Sequence, residues 1–158
     1  MWGSYENIFG GTCMISAISV KDRLKNQAKE DGRTMQDELV TYGLERAIYR
    51  LSISEYAERF TLKGGIFLYA LFDGNFARAT TDIDLLAQHI SNDAEKMKEV
   101  FQHIFSIECD DALRFALDSL EVINITEFKE YHGVNVSITA YLDRTRIPIS
   151  IDIGFVIQ

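Results

Sequence analysis

The sequence is poor in the residues that stabilise small secreted domains or bind zinc. Two cysteines, Cys13 and Cys109, and three histidines occur in 158 residues. Two cysteines are too few for a disulfide framework, and no Cys or His spacing matches a zinc site, so we expect both thiols to serve packing. No apolar run approaches the about 18 residues of a membrane span, and no basic leader precedes an apolar stretch. These absences predict a cytoplasmic protein without a membrane segment.

Basic residues are also in the minority. The chain has 16 Lys and Arg against 24 Asp and Glu, for a net charge of -8. This balance argues against a protein coated with basic surface for nucleic acid, although a local patch of cations can still bind phosphate. Two such patches are Lys21, Arg23, Lys25 and Lys29 on a predicted helix, and Arg144 and Arg146, which we expect near Asp152. We therefore keep an RNA acceptor such as tRNA as an alternative, although the composition does not support it.

Asp82 and Asp84 form the most informative pair. On a β-strand, residues i and i+2 point to the same face about 6.6 Å apart. Two carboxylates at that distance repel each other unless protons, a cation or water relieve them. The pattern is therefore typical of a divalent cation site, and the alternative interpretation is a solvated strand face in an acidic chain.

A glycine pair precedes the acidic pair. Lys63-Gly64-Gly65 lies between a predicted short strand and an apolar segment that begins at Ile66, which indicates a tight turn before a helix. Glycines let a ligand approach the backbone, and the first amides of a helix bind phosphate well. Lys63 and Arg78 would add cations for a triphosphate. The alternative is an ordinary turn where a helix packs closely on a strand.

A third carboxylate lies near the end of the chain. Residues 134–142 and 147–155 alternate apolar and polar with period two, which predicts an antiparallel hairpin. The isoleucines from Ile147 to Ile153 then share the buried side, and Asp152 lies opposite with Ser150 and Gly154. If this strand lies near the Asp82–Asp84 strand, three carboxylates converge. The alternative for Asp152 is a single polar residue on a half-exposed strand.

These landmarks resemble a known family. Lys63-Gly64-Gly65, then the segment Arg78 to Leu85, then Ile151-Asp152-Ile153-Gly154-Phe155 are similar to the AbiEii/AbiGii-type nucleotidyltransferase toxins of the polymerase beta-like nucleotidyltransferase superfamily. The landmarks follow the family order from about Ser19 through Gly154.

The resemblance implies a toxin of a bacterial toxin–antitoxin or phage-defence system. Such a protein transfers a nucleoside monophosphate from an NTP to an RNA or protein acceptor, and an antitoxin protein is its expected partner. Asp82, Asp84 and Asp152 would be the catalytic carboxylates and the ligands of magnesium or manganese. Lys63, Gly64, Gly65 and Arg78 would bind the nucleotide.

The sequence departs from the family in one respect, because related chains continue beyond the Asp-Ile-Gly-Phe strand and this one stops at Gln158. We therefore keep an alternative function, that of a truncated, catalytically incomplete relative acting as a protein-interaction module. We also expect the apolar segment 147–157 to form a partner interface or a homo-oligomer.

The predicted fold class is α+β, a nucleotidyltransferase-like mixed or antiparallel sheet with helices on one face. We expect a flexible arm at 1–18, a helical segment at 19–60 and the core at 61–158, apparently without the family's C-terminal half. Local signals predict helices capped by Ser19, by Thr34, and by Ser91 or Asn92. A further one or two strands are predicted between Phe115 and Ile125.

Overall fold

The computed structural model describes residues 15–62, 83–125 and 133–156. In these segments the chain forms helices and strands of a single α+β unit, which confirms the predicted fold class. The helices are α1 (Ala17–Asp31), α2 (Met35–Ser52) and α3 (Ala94–Phe105), with a 3₁₀ turn at Ala57–Arg59. The strands are β1 (Phe60–Leu62), β2 (Ile83–Ala87), β3 (Leu113–Ile125), β4 (Gly133–Leu142) and β5 (Thr145–Phe155).

The first two helices begin and end at capping residues. Ser16 caps α1, because its hydroxyl accepts a hydrogen bond from the Ser19 backbone N–H at 3.1 Å. The prediction that Ser19 is the cap is therefore wrong by one turn. Gly32 ends α1 in the left-handed conformation with φ of 65°, as its position predicts. Thr34 caps α2 by accepting from the Asp37 N–H at 3.1 Å, which confirms the predicted helix start.

Helix α3 begins slightly later than predicted. Asp93 occupies the cap position, while the Ser91 hydroxyl accepts from the Asp93 N–H. The prediction of Ser91 or Asn92 as the cap is thus wrong by one or two residues. Met97 and Ile104 are buried on the inner side of the helix. Within the described segments, no helix combines the length and apolar character needed to cross a membrane.

The strands form one mixed sheet in the order β1-β2-β5-β4-β3. Strands β2 and β5 are parallel neighbours, and every other pair is antiparallel. The predicted hairpin is confirmed as β4 and β5. The segment predicted as one or two strands is the single strand β3, whose pairing with β4 shifts register between Ala116 and Glu121.

The helices cover one face of this sheet. Ile147, Ile149, Ile151 and Ile153 of β5 all point to that face and are at most 2% exposed. Helix α2 packs closely on β5 at Gly43. A Cβ atom at this position would come within 2.9 Å of the Ile147 Cγ2 atom, so a larger residue would not fit without a shift. The chain's own core buries these four isoleucines, so the expectation that segment 147–157 forms a partner interface or a homo-oligomer is wrong for them.

A buried ionic cluster fastens α2 to the loop before β3. Arg46, Arg50 and Asp111 are each 2% exposed. Asp111 Oδ2 accepts hydrogen bonds from Arg46 Nε at 2.8 Å and from Arg50 Nη1 at 2.6 Å, and its backbone carbonyl accepts from the Tyr42 hydroxyl at 2.7 Å. Burial alone would lower the pKa of the Arg46 guanidinium, but the charge of Asp111 and its hydrogen bond outweigh burial and raise that pKa above its ordinary value.

Removing the negative charge of Asp111 from this cluster should strongly destabilise the folded protein. We expect Asp111→Asn to lower the free energy of unfolding by about 3–5 kcal/mol, because two buried guanidinium groups then lose their counter-charge. Urea denaturation followed by circular dichroism measures this loss. The matched control is Asp118→Asn on the exposed part of β3, which should stay within about 0.5 kcal/mol of the wild type. Equal effects of the two substitutions would contradict the role given to the cluster.

Candidate active site

Two of the three predicted carboxylates lie side by side in the sheet. In the parallel pairing of β2 with β5, the register places Asp84 opposite Asp152. Adjacent strands are about 4.8 Å apart, so the two side chains leave the sheet as direct neighbours. Both are exposed, on the face opposite the helices. Residues separated by 68 positions in the sequence therefore form one acidic pair.

The facing of both carboxylates follows from burial of the residues around them. Ile83 and Leu85 flank Asp84 and are 5% and 1% exposed, while Ile151 and Ile153 flank Asp152 and are each 1% exposed. Because successive side chains on a strand point to opposite faces, burial of these four residues directs each carboxylate outward. The predicted facing of Asp84 and Asp152 is confirmed.

Asn135 is a third member of the site that the sequence analysis missed. It lies on β4 opposite Asp152 in the hairpin register. Its Nδ2 atom donates to Asp152 Oδ1 at 2.8 Å and to Ser150 Oγ at 2.7 Å. The signal that could have found it is the turn at Asp143 and Arg144, since a two-residue turn places Asn135 beside Asp152. Asp143 adopts φ of 56°, as tight hairpin turns require.

The other predicted site residues cannot be placed on this framework. Asp82, Lys63, Gly64, Gly65 and Arg78 all lie outside the described residues. Among the residues that are described, no group of three or more His, Cys, Asp or Glu side chains could hold a metal ion. The Asp84–Asp152 pair nevertheless suits magnesium, which one or two carboxylates usually hold while water and substrate phosphate complete its octahedron.

The basic residues of the hairpin tip lie far from the acidic pair. Arg146 is at the start of β5, six positions before Asp152, which corresponds to about 20 Å along an extended strand. The expectation that these cations lie near Asp152 is therefore wrong. Across the sheet, Arg146 is paired with Tyr141, and the Arg114 guanidinium lies 4.6 Å from the centre of the Tyr141 ring.

A comparison with known families identifies the family of the chain. The family described as nucleotidyl transferase AbiEii toxin, type IV TA system, matches residues 46–156, which is more than half of the chain. The chain belongs to the AbiEii nucleotidyltransferase toxin family. The match confirms the resemblance and includes the strands that carry Asp84, Asn135 and Asp152. A comparison with curated proteins gives no significant match.

Neutralising one carboxylate of the pair should stabilise the metal-free protein. Like charges directly opposite each other on neighbouring strands cost about 0.2–1 kcal/mol, so Asp84→Asn should raise the melting temperature by about 1–3 °C in buffer with EDTA. Differential scanning calorimetry measures the shift. Glu121→Gln makes the same chemical change on the same sheet face, away from the pair, and controls for net charge. A shift no larger than that of the control would show that the two carboxylates do not interact.

Proposed function

We propose that this AbiEii-family chain is a magnesium-dependent nucleotidyltransferase that transfers a nucleoside monophosphate from an NTP to an RNA or protein acceptor. The observation that carries the proposal is the register that pairs Asp84 with Asp152 on the sheet face opposite the helices, where both side chains are exposed. A pair of exposed carboxylates on rigid neighbouring strands is a suitable receptor for a divalent cation bound to triphosphate.

The carboxylates would have distinct tasks. Asp84 would bind the cation, and Asp82, two residues earlier in the sequence, would be its companion ligand. Asp152 would also be a ligand, and it would accept the proton of the acceptor hydroxyl if that hydroxyl comes within hydrogen-bond distance. When bound, magnesium or manganese neutralises charge on the phosphate oxygens and on the attacking and leaving oxygens of the displacement.

The nucleotide would be bound by the segment before the acidic pair. We assign the triphosphate to the backbone amides of Gly64 and Gly65 and to the cations Lys63 and Arg78, because glycine backbones and cationic side chains are the usual partners of phosphate. The spacing of these residues in the sequence and the family of the chain support this role for them. An antitoxin protein is the partner that membership of a toxin–antitoxin family suggests.

Label transfer tests the proposed reaction directly. The chain is incubated with each alpha-labelled NTP, magnesium, and either total RNA or total protein. We expect label on one acceptor class, no transfer with EDTA, and a loss of at least about 100-fold in Asp152→Asn, because this substitution removes a ligand and not merely an outer-shell partner.

A matched variant makes the result specific. Glu121→Gln should transfer label at the wild-type rate, since Glu121 lies on β3, outside the acidic pair. Label on RNA and label on protein identify different acceptors. If no NTP gives transfer to either class, the catalytic proposal fails for this chain, and the alternative of an interaction module that only binds partners gains support.

A further inference from the structure

We infer that Asn135 is a positioning residue that fixes the Asp152 carboxylate for cation binding. The inference deepens the proposed function and rests on it. Its basis is the pair of hydrogen bonds from one amide nitrogen to Asp152 and Ser150.

The identity of the atoms at this contact follows from their chemistry. An ionised carboxylate only accepts hydrogen bonds, so the side of the Asn135 amide that faces Asp152 must be the nitrogen. The amide NH₂ group has two hydrogens, and the two acceptors, at 2.8 Å and 2.7 Å, use both of them. Ser150 thereby anchors the same NH₂ group that donates to Asp152.

The backbone holds the two residues of this contact in fixed positions. Asn135 and Asp152 are opposite each other in the β4–β5 ladder, between buried Val134 and Val136 on one strand and buried Ile151 and Ile153 on the other. Both Cα positions are therefore fixed by the core. Only the side-chain torsions of Asp152 remain to be set, and the hydrogen bond from Asn135 sets them.

A neutral donor suits this position better than a cation. A lysine or arginine at position 135 would form an ion pair with Asp152 and compete with the metal for the carboxylate. Asn135 engages Oδ1 without cancelling its charge, and it leaves Oδ2 for the cation. Removing such an outer-shell partner typically costs about 10–100-fold in metal affinity.

Calorimetric titration with Mn²⁺ alone tests the inference without an activity assay. We expect Asn135→Ala and the similarly sized Asn135→Leu to weaken Mn²⁺ binding by about 10–100-fold. Ser137→Ala is the matched control, because Ser137 lies on the same strand and face, two residues away, and is paired with Ser150 instead of Asp152. It should bind Mn²⁺ within about two-fold of the wild type, which is below the outer-shell effect. Circular dichroism on every variant confirms that the sheet is formed.

A double substitution shows whether Asn135 acts through Asp152. In an Asp152→Asn background, Asn135→Ala should cause no further loss of Mn²⁺ affinity, because the carboxylate that it orients is gone. A second loss of equal size would overturn the inference.

The outcomes separate the inference from the proposed function. If Asp84→Asn weakens Mn²⁺ binding and both Asn135 variants bind like the wild type, the positioning role is wrong and the metal site stands. If the wild type itself binds no Mn²⁺, with or without a nonhydrolysable NTP, the proposed metal site and the role of Asn135 fail together.

Discussion

Burial of one face of β5 is the constraint on which the site depends. This strand lies in the sheet between β2 and β4, and its four inward isoleucines are covered by the helices. A slip of one residue would expose all four and bury Asp152, at a cost of about 1.5–3 kcal/mol for each apolar side chain. Two charges about 5 Å apart repel by only about 3 kcal/mol at an effective dielectric of 20, and by less in water. The core therefore decides where the carboxylates lie, and their mutual repulsion cannot change the register.

The layer of helices is held in place by two different kinds of contact. At Gly43 the absence of a side chain lets α2 approach Ile147 and Ile149 of β5. Closer to the C-terminal end of the helix, Arg46 and Arg50 bind Asp111 in the loop that leads into β3. One helix thus contacts the strand that carries Asp152 and the entry to the strand at the sheet edge. The candidate site lies on the opposite face, where its carboxylates do not compete with the packing of the helices.

Sequence patterns predict the local parts of this arrangement well. Alternation gave the facing of Asp84 and Asp152 because one buried face dictates the other, and Thr34 marked the start of α2 because its cap is local. Pairing over long distances is different. Nothing in the local pattern around Asp84 indicates that β5 is its parallel neighbour. The contact with Asp152 could therefore be predicted only on the assumption that the two strands are adjacent. The same limit applies to Asp111, which lies 61 residues from Arg50 and joins it only in the folded chain.

A small error in the predicted turn is enough to hide the contact between Asn135 and Asp152. A four-residue connection at 143–146 would place Ser137 opposite Asp152, whereas the observed turn at 143–144 places Asn135 there. A shift of two residues preserves the face of every side chain, so the hydrophobic pattern fits both registers equally well. Only the turn geometry distinguishes them, and it depends on Asp143 adopting a positive φ that few residues other than glycine tolerate.

Because the core fixes the strands that carry Asp84 and Asp152, cation binding at this pair would be coupled to folding differently than in small zinc domains. In small zinc domains the ligands come together only when the ion binds, so the ion supplies the folding energy. Here Asp84 and Asp152 are held by strands whose inner faces are buried among apolar side chains, and Asn135 restrains Asp152 further. The contacts that fix these two strands are apolar, and a cation bound as proposed would relieve the modest repulsion between the two carboxylates. A site of this kind is preorganised, because the apolar core has already fixed the backbone positions that ion binding would otherwise have to order.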